Sequence, residues 1–233
     1  MRSYIDIPVG DGCFSHAALA RLRQARPTVS YVGLEIVKSL VENNMVRVDN
    51  NTRLVHADVA TLPQLPGPTA DLIFSRQMMQ HVRRSQCHSP PLAPAPSIHV
   101  FRAQMCNRDV LHVLSLISKS GARHALLTSF ETVEENVDIP CTSGGYRPLN
   151  LVKAPFNLQA PVDWWAEDYP VDQRVGLGLW ELPLPLQPSP SPRPDDIEED
   201  GSGEETGSGE ETGSGWIDLL DFGYFSSRWE ASH

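Results

Sequence analysis

The stretch Asp6-Ile7-Pro8-Val9-Gly10-Asp11-Gly12 sets two glycines between an apolar run and a helical pattern. Glycine takes positive φ without steric cost and lets a ligand lie close against the backbone, so this turn is suited to cradle one. A second apolar run, Tyr31-Val32-Gly33-Leu34, ends in Glu35, 23 residues after Gly12. A carboxylate at such a tip accepts hydrogen bonds from both hydroxyls of a ribose. Asp58, after His56-Ala57, offers an acceptor to an adenine amino group, although it equally suits the cap of a short helix. Ser75 and Arg76 follow a further run, Leu72-Ile73-Phe74, at the edge where open α/β sheets bind ligands.

A dinucleotide is the competing ligand for this pattern. It requires a third glycine three residues after the second, where this chain has Ser15. Asp6 would also repel a pyrophosphate, yet it suits an ammonium group. The pattern therefore favours an adenosyl sulfonium over NAD.

The candidates for chemistry on an acceptor are fewer. His81 follows the fourth run by about two helical turns and has the proton affinity of a general base, with packing as the alternative. Tyr146 and Arg147 follow Gly144-Gly145, and Arg147 suits a carboxylate or phosphate on a substrate or an ordinary loop ion pair. Trp164-Trp165 reads as edge packing or as a stacking surface. The four cysteines, Cys13, Cys87, Cys106 and Cys141, are irregularly spaced and read as free thiols of a reducing compartment. Cys87-His88 with Cys106 matches no zinc pattern, so no metal is expected.

These residues need a parallel sheet to bring them together. Short apolar runs at Tyr4 to Ile7, Tyr31 to Leu34, Leu72 to Phe74 and His124 to Thr128, with Arg53 to His56 as a fifth, read as buried parallel strands. Helical patterns at Phe14 to Gln24, Lys38 to Asn43 and Asp109 to Ser118 alternate with them. The expectation is a Rossmann-like, mostly parallel α/β sheet with helices on both faces. Possible strands at Asn150 to Val152 and Leu177 to Leu182 suggest an antiparallel edge.

Composition divides the chain into a domain at 1–186, a linker at 187–215 and an aromatic segment at 216–233. Residues 85–107, with Pro90, Pro91, Pro94 and Pro96, read as a surface insertion in the domain. The linker begins with Pro188-Ser189-Pro190-Ser191-Pro192. Its Gly-Ser-Gly-Glu-Glu-Thr repeat, at 201–206 and 207–212, cannot bury a core, so disorder is expected there. Trp216 to Trp229 is apolar again and is expected to dock on the domain or on a protein partner. The domain carries 17 acidic and 17 basic residues, and the remainder 12 acidic against 2 basic, which accounts for the net charge of −10. No basic stripe favours nucleic acid. No apolar run approaches the ~20 residues of a membrane span, and the start lacks a secretory signal, so a cytoplasmic location is expected.

The order Asp-x-x-x-Gly-x-Gly, Glu35, Asp58 and the Asp71 strand resembles the class I S-adenosylmethionine-dependent methyltransferases. Phe74-Ser75-Arg76-Gln77-Met78-Met79-Gln80-His81 and Tyr146-Arg147-Pro148-Leu149-Asn150-Leu151 resemble, more narrowly, a poorly characterised subgroup of them. The resemblance spans roughly 4–84 and 108–182. It implies S-adenosylmethionine as cofactor, with Gly10 and Gly12 beneath it and Asp6 near its amino acid part. Glu35 would hold the ribose, Asp58 the adenine, and Ser75 or Arg76 would line the cleft. It further implies methyl transfer to a small molecule or an exposed side chain. Because the first strand begins at Tyr4, the helix that usually covers the cofactor is not expected. That makes a cofactor-binding protein without catalysis, acting in protein interaction, the alternative.

Overall fold

The computed structural model describes residues 1–67, 69–76, 78, 105–141, 147–167 and 174–186. Five parallel strands form its centre: β1 (Ser3–Asp6), β2 (Ser30–Glu35), β3 (Thr52–His56), β4 (Leu72–Ser75) and β5 (His124–Phe130). Two antiparallel strands, β6 (Asp163–Ala166) and β7 (Val175–Glu181), complete the sheet in the order β3-β2-β1-β4-β5-β7-β6. The chain leaves β1 toward β2 and β3, then returns to β4 on the other side of β1. This reversal opens a crevice at the carboxyl ends of β1 and β4, where such sheets bind ligands.

Helices lie on both faces. On one, α1 (Cys13–Ala25) packs Phe14 and Leu19 against Tyr4, Tyr31 and Phe74, and α2 (Lys38–Asn44) lies beside it. On the other, α3 (Asn107–Lys119) sets Val110, Val113, Leu114 and Ile117 against Ile5, Ile73, Ala125 and Leu127. Strands covered on both sides are apolar without alternation, which is why β2 and β5 read so clearly in the sequence. The fold is the Rossmann-like α/β sheet with an antiparallel edge that the sequence implied.

Two expectations are corrected. Asn150 to Val152 is a turn, not a strand. Leu149 and Leu151 are fully buried. The segment is held not by a strand ladder but by single bonds from Phe130 N and to the Ser129 hydroxyl of β5, and by Asn136, which reaches in from the loop after β5. Its Nδ2 donates to Asn150 O at 2.8 Å, and its Oδ1 accepts from Asn150 N at 2.8 Å. The pair Trp164-Trp165 lies on an edge strand, β6, registered on β7, in keeping with its reading as edge packing. Finally, Cys106 and Cys141 are joined in a disulfide with Cα atoms 4.8 Å apart, and no described cysteine is free. Bridging 35 positions stabilises the chain by on the order of 3–4 kcal/mol in the chain-entropy picture. The free-thiol reading failed because the loop after β5 folds back onto α3, a contact that cysteine spacing does not encode.

The insertion expected at 85–107 overlaps α3, whose first residue is Asn107. Residues 85–104 and 187–233 lie outside the described residues. Among the described residues, no helix is long and apolar enough to cross a membrane.

Candidate functional site

The turn after β1 is stitched between its two neighbours. Ile7 N donates to Phe74 O of β4 at 2.9 Å, and Val9 N to Leu34 O of β2 at 3.0 Å. The backbone then passes through Gly10 at φ 62° and Gly12 at φ 76°, the left-handed region that favours glycine. Gly12 is the N-cap of α1. A Cβ on Gly10 would meet nothing within 4 Å, whereas one on Gly12 would strike Asn44 and His16. The open side of the turn is therefore at Gly10, and the packed side at Gly12.

Glu35 lies beside this turn, 2 % exposed. Its Oε2 accepts from Gly10 N at 2.8 Å and its Oε1 from Val37 N at 2.9 Å. Each carboxylate oxygen has two lone-pair directions, so the group retains capacity for two further donors, as a ribose diol would supply. Asn44, at the end of α2, donates from Nδ2 to Gly10 O at 3.0 Å while its Oδ1 lies 3.2 Å from His16 Nε2. The turn is thus gripped by its N–H through Glu35 and by its carbonyl through Asn44. The sequence reading missed Asn44 and His16. Asn43-Asn44 after a short helical pattern reads as a helix stop, and nothing marks the side chain as buried.

Asp6 sits 1 % exposed on the α1 face of the sheet. Its Oδ2 accepts from the Tyr31 hydroxyl at 3.1 Å and the Tyr4 hydroxyl at 3.4 Å. Burial pushes its carboxyl up to about 7, against the lowering effect of the Ser15, Tyr31 and Tyr4 hydroxyls. Burial and the neighbouring carboxylate likewise push both tyrosines upward. Burial thus disfavours the charge of Asp6 in the fold, and a cation brought beside it would favour that charge.

Asp58 caps the short 3-10 turn Val59–Thr61, its Oδ1 accepting from Ala60 N at 3.0 Å. Its other carboxylate oxygen makes no hydrogen bond within the described residues. Ser75 ends β4 with a buried hydroxyl that has no partner among the described residues. Arg76 pairs with buried Glu167 at 2.5 Å and stands 5.1 Å over the Phe14 ring, so its charge is compensated inside the fold.

Arg147 takes the loop contact of its two readings and not the substrate contact. Its Nη1 donates to Asn107 Oδ1 at 3.0 Å and Val137 O at 2.7 Å, and its Nη2 to Met105 O at 2.7 Å. This buried guanidinium fastens the loop after β5 to the start of α3 and is not presented to a substrate. Burial lowers its proton affinity, with Asp138 acting in the opposite sense. His81 and Tyr146 lie outside the described residues. Cys106, Asp109 and Cys141 bring three ligand-type atoms within 4.8 Å of one another, but the sulfurs are bonded to each other and offer no thiolate pair to a metal.

No protein-family model and no curated protein matches the chain. Several solved structures are similar over part of their length. An S-adenosylmethionine-dependent methyltransferase from Mesorhizobium loti is 14% identical, with a TM-score of 0.36 over 55% of this chain and 46% of that one. An O-methyltransferase of a trans-AT PKS multienzyme of Brevibacillus brevis, in complex with S-adenosyl-L-homocysteine, is 15% identical, with a TM-score of 0.38 over 55% and 35%. LepI in complex with SAM is 14% identical, with a TM-score of 0.46 over 76% and 42%. The chain spans less than half the length of each.

Proposed function

We propose that the chain binds S-adenosylmethionine at the carboxyl edge of β1 and β2 and transfers its methyl group to a small molecule or an exposed side chain. The observation that carries this reading is the open, left-handed turn at Gly10 set against the buried Glu35 carboxylate. The bare backbone at Gly10 leaves room for a flat ligand, and Glu35 supplies acceptors suited to ribose hydroxyls. Asp58 keeps one carboxylate oxygen for an adenine amino group. The cofactor, when bound, supplies an electrophilic methyl group. The protein's share of such a reaction is chiefly in-line alignment, so an obvious base is not required.

Binding without turnover is the second reading. It is favoured by the commitment of Arg76 to Glu167 and of Arg147 to the α3 loop, which leaves neither arginine to hold an anionic acceptor. Turnover on a broad panel of acceptors separates the two.

Calorimetric titration of S-adenosylmethionine and S-adenosylhomocysteine tests the shared claim. The expected result is micromolar binding, about −8 kcal/mol, lost by 100-fold or more (~3 kcal/mol) in Gly10→Arg. Absence of binding by the folded wild-type chain, or tighter binding of NAD, contradicts it.

A further inference from the structure

The Cys106–Cys141 disulfide joins two sulfurs in unlike surroundings. Cys106 is 1 % exposed and is the N-cap of the 13-residue α3, whereas Cys141 is exposed in the segment after β5. The rest of that loop has its own attachments. Asp138 Oδ1 accepts from Asn107 N at 2.7 Å, Arg147 holds Val137 O, and Asn136 Nδ2 donates to Ala154 O at 2.7 Å.

We propose that this disulfide is a site of thiol–disulfide exchange with an external dithiol, in which Cys141 is the sulfur attacked and Cys106 the sulfur released. Exchange requires an in-line approach to one sulfur, and only Cys141 is open to it. A thiolate of the dithiol forms a bond to Cys141 Sγ, the protein S–S bond breaks, and its electron pair goes to Cys106 Sγ. The leaving thiolate sits at a helix N-terminus, whose dipole stabilises negative charge, although the first N–H of the helix, that of Asn107, is already taken by the Asp138 carboxylate. The Arg147 guanidinium, bonded to Met105 O and Asn107 Oδ1 on either side of Cys106, acts in the same sense. The Asp109 carboxylate, within 4.8 Å of both sulfurs, opposes it. The second thiol of the dithiol then attacks its partner sulfur in the mixed disulfide and releases Cys141. Two electrons and two protons pass to the protein, and the dithiol leaves as a disulfide. Because Asn136, Val137 and Asp138 stay fastened, reduction releases Cys141 from α3 and leaves α3 in place. The proposal does not depend on the cofactor.

The test uses the full chain, native and unfolded in guanidinium, treated with dithiothreitol, quenched with N-ethylmaleimide and mapped peptide by peptide. The native disulfide is expected to be reduced within about tenfold of the rate in the unfolded chain, with its circular dichroism unchanged. In separate variants, oxidised glutathione is expected to modify Cys141 of Cys106→Ser at least ~100-fold faster than Cys106 of Cys141→Ser. Native reduction slower than ~1000-fold relative to the unfolded chain overturns the proposal, as does equal reactivity of the two single cysteines. If either variant does not fold, the wild-type rates alone decide.

Discussion

Asp6→Asn is expected to remove a fall in stability that the wild-type chain suffers between about pH 4 and pH 7. The carboxyl titrates near 3.8 when unfolded and at about 7 in the fold, because burial disfavours its charge. Between those values the folded state binds more protons than the unfolded one, so stability is highest below the unfolded pKa and is lost as pH rises through 7. The full difference is on the order of 4 kcal/mol, an upper limit for a buried carboxyl whose surroundings can relax. An asparagine keeps an oxygen for the Tyr31 and Tyr4 hydroxyls and carries no charge to desolvate. Urea unfolding at pH 5 and pH 8 measures the effect. The advantage of the variant over the wild type should be about 2–3 kcal/mol larger at pH 8 than at pH 5. A wild-type-to-variant difference that does not change with pH would show that Asp6 is ionised throughout.

Gly12→Ala is expected to cost about 2–4 kcal/mol, and Gly10→Ala only about 1 kcal/mol. Both residues have positive φ, so both substitutions strain the backbone. At Gly12 the added Cβ would also stand 2.6 Å from the His16 ring and drive Asn44 off the Gly10 carbonyl. That loss leaves a part-buried carbonyl without its donor, a cost added to the strain. Gly10 faces open space, so strain is all it adds. Thermal or urea unfolding of the two variants, compared at one pH, checks the order. Equal costs would mean that Asn44 does not hold the turn.

The centre of the sheet was legible because parallel strands covered on both faces must be apolar throughout, and Tyr31 to Leu34 and His124 to Leu127 are little else. Glycines beside an acid-tipped strand marked the turn, since few other functions need both. What stayed hidden depends on contacts between distant segments. Arg147 read equally as a substrate contact or a loop ion pair because the carbonyls of Met105 and Val137 that capture it are 42 and 10 positions away. The ionisation of Asp6 is set by burial under α1 and by hydroxyls from two strands, which composition does not reveal. β6 escaped notice because Asp163-Trp164-Trp165-Ala166 has no alternation and takes its conformation from pairing with β7.

The central claim is that Glu35 receives the ribose of a cofactor seated on the Gly10 turn. The most direct measurement compares S-adenosylhomocysteine with its 2′,3′-dideoxyribose analogue on the wild type and on Glu35→Gln. The wild type should lose about 2–3 kcal/mol on removal of the hydroxyls, and the variant less than about 1 kcal/mol, because the charged acceptor is gone. An equal loss in both proteins would place the ribose elsewhere and contradict the account.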